Sequence, residues 1–291
     1  MAQMGRYKIE APLGEGAMGA VYRARDPRLG RVVALKVVTT EESDEDEDTD
    51  ELFCRVQREA EAAGRLSHPG IVPIYDVGIE EGRRVYLAME LVEGQDLKRR
   101  IEGSSFPATP CTLQLIADVC RALDYAHAQG VVHRDIKPAN IMVTAEGAAR
   151  ILDFGLAHLA SGATLTRRGQ VLGTPDYMSP EQAAGGHVDE LSDVFSAGAV
   201  FYELLTGSKP FAGRSLHAVL FNVLQTAPIS VLTLNPHVPA RLAAVVERML
   251  SKRPEARPRM LAEVAAVVEE VRALGWDERP RRRRGRGRGQ R

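Results

Sequence analysis

The sequence predicts an α+β chain in two lobes, a five-stranded antiparallel sheet with one helix followed by a mainly helical half. Three observations predict it. Short β-rich runs separated by Gly- or Pro-containing turns fill the first ninety residues, apolar residues recur at helical spacing from Asp96 onward, and residues 131 to 181 form a polar, glycine-dense stretch poor in strands.

Tyr7 to Leu13, Ala20 to Asp26 and Arg31 to Val38 read as the first three strands. Leu52, Phe53, Val56, Ala60, Ala63 and Leu66 then share one helical face, and His68-Pro69-Gly70 ends that helix. Ile71 to Val77 and Arg84 to Leu91 complete the five strands, joined by the turn Glu80-Glu81-Gly82. Gly94 marks the passage between the lobes, which divides the chain into residues 1–89, a hinge at 90–95 and a helical lobe at 96–276. In that lobe Leu113, Ile116, Val119, Leu123 and Ala126 form one long face. Leu191 to Leu205, Ser215 to Gln225, Pro239 to Leu250 and Pro258 to Leu274 supply further helices. An irregular connection as long as 131–181 is more often functional than filler.

The 291 residues can bury a substantial core, and 44% hydrophobic with 26% charged residues is ordinary for a globular protein. No run approaches the roughly 18 apolar residues of a membrane span, and the start lacks a charged-then-apolar signal segment. Cys54, Cys111 and Cys120 are scattered without metal-ligand spacing, so a reduced, cytoplasmic setting is expected. The net charge of −1 conceals two opposed blocks. Residues 41–51 carry nine carboxylates and residues 279–291 carry eight arginines, so both are expected to be solvated. The arginine tail, 277–291, is expected to be disordered, with nucleic acid, anionic lipid or an acidic protein as candidate contacts. It has no aromatic residue to stack on bases, which argues against sequence-specific reading.

The chemistry lies in four short segments. Gly14-Glu15-Gly16-Ala17-Met18-Gly19, then Val21, sits between two strands, where glycines let backbone N–H groups approach phosphate oxygens. A dinucleotide fold would open a helix there, but strand residues follow. Val33-Ala34-Leu35-Lys36 places a lysine on the next strand, with Glu59 on the following helix as its candidate partner. In His133-Arg134-Asp135-Ile136-Lys137-Pro138-Ala139-Asn140, Asp135 can take the proton of an attacking hydroxyl and Lys137 can neutralise a transferring phosphoryl group. Asn140 offers an amide oxygen to a hard cation, and Asp153-Phe154-Gly155 supplies a carboxylate for the same ion.

This ordered set resembles the eukaryotic-like protein kinase family, from residue 7 to about 274. The wording of Gly173-Thr174-Pro175-Asp176-Tyr177-Met178-Ser179-Pro180-Glu181-Gln182 is similar to the bacterial serine/threonine branch. The resemblance implies the two-lobed kinase fold, ATP and Mg²⁺ (with Mn²⁺ able to substitute), and protein substrates. It places the adenine between Val21 and Ala34 above and Met142 below, near Leu13, with Met89 as gatekeeper and Glu90 to Val92 as the hinge. Asp96 falls where an acid meets the ribose or the peptide, or else serves as a helix N-terminal acid. Lys36, held by Glu59, would grip the α/β-phosphates; Asp153 and Asn140 would hold the metal; Asp135 and Lys137 would act on the acceptor.

The same resemblance pairs Glu181 with Arg257, buries Asp193 beneath the catalytic loop and stacks His133 on Phe154. Lys137 with Gly173-Thr174 implies a serine or threonine acceptor. Arg134 beside Asp135 implies control by a phosphate on the following loop, at Thr166 or else Thr164, with a homodimer as one route to trans-autophosphorylation. Ser179 departs from the family's usual alanine, and the absence of a membrane span suggests a soluble member. The rival reading is a pseudokinase scaffold, which would ordinarily lack one of Lys36, Asp135 or Asp153.

Overall fold

Short strands, some of them buried along most of their length, and helices with buried faces segregate into successive parts of the chain. The computed structural model describes residues 2–16, 19–39, 49–80, 84–103, 110–154 and 175–276. The first part is an antiparallel sheet in the order β1-β2-β3-β4-β6-β5. Its strands are β1 (Gln3–Met4), β2 (Tyr7–Gly16), β3 (Gly19–Arg25), β4 (Val32–Thr39), β5 (Ile74–Glu80) and β6 (Arg84–Glu90). Helix α1 (Thr49–Gly64) packs against β5.

Six strands stand where five were expected. The extra one, β1, is two residues long, too short for alternation to be read, and pairs Gln3 with Lys8 and Met4 with Tyr7. Arg6 fixes this corner, reaching Asp76 at 2.8 Å and Asp26 at 3.3 Å, while the Tyr7 hydroxyl donates to Asp76 at 2.9 Å. β5 begins three residues later than expected because Pro73 has no N–H for a ladder. Ile71 instead bridges to Ile151, far along the chain.

A second sheet, unforeseen in the strand-poor stretch, joins β7 (Gly94–Asp96), β8 (Ile141–Thr144) and β9 (Ala149–Ile151). Gly94 has a packing reason to be glycine, since a Cβ there would lie 2.3 Å from the Val143 carbonyl oxygen.

The remaining helices are α2 (Leu97–Glu102), α3 (Pro110–Ala128), α4 (Pro180–Ala183), α5 (Glu190–Thr206), α6 (Leu216–Gln225), α7 (Val231–Leu234), α8 (Ala240–Met249) and α9 (Leu261–Ala273). Every residue of α5 from Ser192 to Thr206 is buried, so α5 is the axis around which α3 and α8 pack. Gly198 permits the α8 approach, because a Cβ would meet that of Met249 at 2.7 Å. No described helix is long and apolar enough to cross a membrane.

Candidate active site

The glycine-rich segment becomes the β2–β3 hairpin, with Gly16 opposite Gly19; Ala17 and Met18 lie outside the described residues. Gly19 has φ of 125°, and a Cβ would stand 1.9 Å from the Val37 carbonyl oxygen, so no other residue fits. A Cβ on Gly14 would meet nothing within 4 Å, so packing alone does not demand that glycine. Leu13 and Glu15 are exposed on β2.

Val21, Ala34, Met89 and Val92 gather in one apolar cluster with Val72, Leu87 and Leu152. Leu152, adjacent to Asp153, was not foreseen, because an apolar residue following Ile151 at the end of a short strand carries no signal for a binding role. Met142 lies on β8, in register with both Asp96 and Arg150. Glu90 uses its side chain to grip Arg150, one arm at 2.9 Å, which ties the end of β6 to β9. Asp96 caps α2, accepting from the Arg99 N–H at 2.8 Å.

At the charged centre, Lys36 projects from β4 and pairs with Asp153 at 2.6 Å. Glu59, on α1, reaches Arg134 at 3.9 Å. The expected Lys36–Glu59 pair is not among the ion pairs of the described residues. Asp135 accepts from Lys137 Nζ at 2.6 Å and from Asn140 Nδ2 at 3.0 Å. Asn140 Nδ2 also donates to the Asp135 carbonyl at 2.8 Å, so its amide nitrogen is committed to the loop and its oxygen is left for a cation. The Leu152 N–H bonds to the Asn140 carbonyl at 2.9 Å, which sets the two proposed metal ligands on adjoining segments. Carboxylate and amide oxygens are the donors a hard divalent cation prefers.

Two residues here hold left-handed backbone without being glycine, Arg134 at φ 68° and Asp153 at φ 61°. Such conformations cost about 1 kcal/mol or more and persist where surroundings impose them. Asp193, 1% exposed on α5, imposes the first. Its carboxylate accepts the His133 N–H at 2.7 Å and the Arg134 N–H at 2.8 Å, and contacts His127 Nε2 at 2.8 Å. His133 accepts the Asp135 N–H on Nδ1, so its Nε2 carries the proton and donates to the Leu152 carbonyl at 2.7 Å. The imidazole meets Phe154 edge-on, with ring centres 4.7 Å apart.

Below the loop, Glu181 and Arg257 form a two-armed pair at 2.7 and 2.9 Å, with the Arg257 side chain 0% exposed. Desolvation pushes the Glu181 carboxyl up, but hydrogen bonds from Arg257 and Ser192 outweigh it and hold the group at about 2. Ser179 accounts for its own departure from alanine. It caps α4, accepting the Gln182 N–H at 3.2 Å while Gln182 Oε1 accepts the Ser179 N–H at 2.9 Å. Gln182 Nε2 then donates to the Arg134 carbonyl at 2.7 Å, gripping the catalytic loop. Gln182 was missed as a site residue, although the Ser-x-x-Gln spacing is a readable capping signal. Gly155, Thr164, Thr166, Gly173 and Thr174 lie outside the described residues.

Residues 7–267 match the family model described as "protein kinase domain". The chain is 42% identical over 272 residues to the serine/threonine-protein kinase PknB of Mycobacterium tuberculosis, covering 91% of this chain and 43% of that protein. It is 40% identical over 281 residues to PknB of Mycobacterium leprae, covering 95% and 44%. The serine/threonine-protein kinase PknA of Mycobacterium tuberculosis is 38% identical over 280 residues, covering 95% and 63%. The chain thus spans less than half the length of the PknB relatives.

Proposed function

The chain belongs to the protein kinase family, and from that premise we propose that it transfers the γ-phosphoryl group of ATP to serine or threonine hydroxyls of protein substrates. The observation that carries this reading is two charged groups, Asp135 with Lys137 and Asn140, and Lys36 with Asp153, on segments joined by the Leu152 N–H to Asn140 carbonyl bond. In the proposed reaction the acceptor oxygen attacks the γ-phosphorus while its proton passes to Asp135. The bond to the β-phosphate oxygen breaks, and ADP leaves with the electron pair. Lys137 offsets charge on the transferring group, and Lys36 leaves Asp153 to hold the α/β-phosphates. Magnesium, or manganese in its place, would neutralise phosphate charge when bound, and Asp153 with the Asn140 amide oxygen would be its protein ligands. Val21, Ala34, Met89 and Met142 would enclose the adenine, with the backbone of Glu90 to Val92 reading its edge.

The proposed catalytic unit is 1–276, with lobes meeting at about 90–95. Regulation by autophosphorylation at Thr166 or Thr164, in trans within a homodimer, is part of the proposal, and Arg134 is the cation that would receive the phosphate. The retained Lys36, Asp135 and Asp153 favour this over a scaffold that binds nucleotide without chemistry. The test is transfer of label from γ-³²P-ATP to myelin basic protein, wild type beside Asp135→Asn. A loss of about 100-fold or more in the variant is expected, the range for a general base. Equal labelling by both proteins overturns the mechanism.

A further inference from the structure

Among the described residues, Lys252 is a half-buried cation that the mechanism does not use. Lys252 follows α8 and turns its ammonium under the C-terminal end of α6, donating to the Val223 carbonyl at 2.6 Å and the Asn222 carbonyl at 3.0 Å. The Asn222 carbonyl also takes the Thr226 N–H at 3.0 Å, but both carbonyls stand at the negative end of the helix dipole, where a cation is favoured. The same ammonium lies 3.6 Å from the Phe211 ring centre and 5.7 Å from that of Phe195. Those rings stack 5.6 Å apart at an interplanar angle of 10°. Arg257 lies over Phe195 at 5.0 Å, donates to the Lys252 carbonyl at 3.1 Å, and holds Glu181. A continuous chain of contacts therefore runs from α6 through Lys252, Phe211 and Phe195 to the Glu181–Arg257 pair.

What α6 touches gives this chain its consequence. The helix packs against both Pro175–Tyr177 and α4, which directly follow Gly173-Thr174, the pair that the kinase resemblance ties to the choice of acceptor. Lys252 is remote in sequence from all of them, and none of its polar partners is a catalytic residue.

We propose that Lys252 is a positioning residue that fixes α6 against Phe195, Phe211 and the Glu181–Arg257 pair, and so sets affinity for the protein substrate without acting on ATP. The ammonium supplies three things at once: donors for two helix-end carbonyls, charge against their dipole, and a cation for the Phe211 face. Burial and the neighbouring Arg257 pull its pKa down to about 8, which still leaves it mainly charged at neutral pH. Methionine at this position keeps most of the apolar stem but removes the first two contributions and the cation. Arginine keeps all three in kind.

The inference rests on the phosphotransfer reading, and its test separates the two. KM for myelin basic protein, KM for ATP and kcat are measured for wild type, Lys252→Met and Lys252→Arg, alongside amide hydrogen exchange. Lys252→Met is expected to raise the protein-substrate KM about tenfold, as loss of a charge-assisted contact would. Its ATP KM and kcat stay within about twofold, and Lys252→Arg returns the protein KM to near the wild-type value. Exchange accelerates in α6 and across residues 175–183, while α3 and α5 keep their protection. Lys252→Gln carries the same predictions should the methionine variant fail to fold. An unchanged protein KM, or equal damage to both substrates, overturns the proposal. If wild type shows no transfer at all, the phosphotransfer reading falls, and the exchange pattern alone decides whether Lys252 fixes α6.

Discussion

Lys36–Asp153 and Glu181–Arg257 are both carboxylate–cation pairs beside the catalytic loop, yet their surroundings differ. Lys36 meets Asp153 through a single contact at 2.6 Å, and both side chains keep some exposure, 11% and 19%. Arg257 meets Glu181 through two arms, is fully enclosed, and also donates to the Ser251, Leu191 and Lys252 carbonyls. The upper pair joins two groups that the proposed reaction needs elsewhere, on phosphate and on metal. The lower pair joins groups with every donor already assigned. On the proposed reading, the upper pair is the one that exchanges for ligands and the lower pair the one that holds the loop still.

The largest effect is expected from the third carboxylate, Asp193. Replacing it with alanine strands the His133 and Arg134 N–H groups in a buried place, at a cost of about 4 kcal/mol in urea unfolding. Phosphotransfer should fall with it, because the left-handed turn at Arg134 loses its support. A stability loss under 1 kcal/mol would mean the loop holds itself.

Arg257→Met is expected to cost about 3 kcal/mol at pH 7 by leaving Glu181 charged and unpaired. The pH dependence sharpens this. With its folded value at about 2 against an ordinary 4.5, Glu181 stabilises the fold fully above pH 4.5, and that contribution drains as pH falls toward 2. The gap between wild type and Arg257→Met should therefore narrow between pH 5 and 3 in urea titrations. A pH-independent gap would show that the pair's charge is not what matters.

Gln182→Ala is the smallest, about 1 kcal/mol, since it removes half of a capping box and one bond to the Arg134 carbonyl. Thermal unfolding reads the first and kcat the second. A change in melting temperature with kcat untouched would confine Gln182 to capping.

These contacts also mark what sequence makes legible. The glycine-rich hairpin, Lys36, the Asp135 loop and Asp153 stand out in the sequence as particular side chains at short, ordered spacings, and their work on phosphate and metal belongs to the proposal. Segregation of strands and helices follows from short β-rich runs giving way to apolar residues at helical spacing. Strand β1 and the β7–β9 sheet were not readable, since two to four residues cannot display a period. Pro73 displaced β5 by removing a donor from an otherwise strand-like run. The partners of Lys36 and Glu59 depend on where α1 sits, a tertiary distance of a few ångströms that residue identity does not encode. Lys252 was silent for a related reason, because its partners are backbone carbonyls and ring faces on other elements.

The contrast between the exchangeable and the locked pair is tested most directly by calorimetric ATP binding with and without Mg²⁺, in wild type and Asp153→Asn. Wild-type affinity should rise about tenfold or more when Mg²⁺ is added, as Asp153 leaves Lys36 for the metal. The variant should bind ATP with an affinity that Mg²⁺ leaves unchanged. An equal response to Mg²⁺ in both proteins would contradict the assignment of Asp153 as metal ligand and of its pair with Lys36 as the element that exchanges.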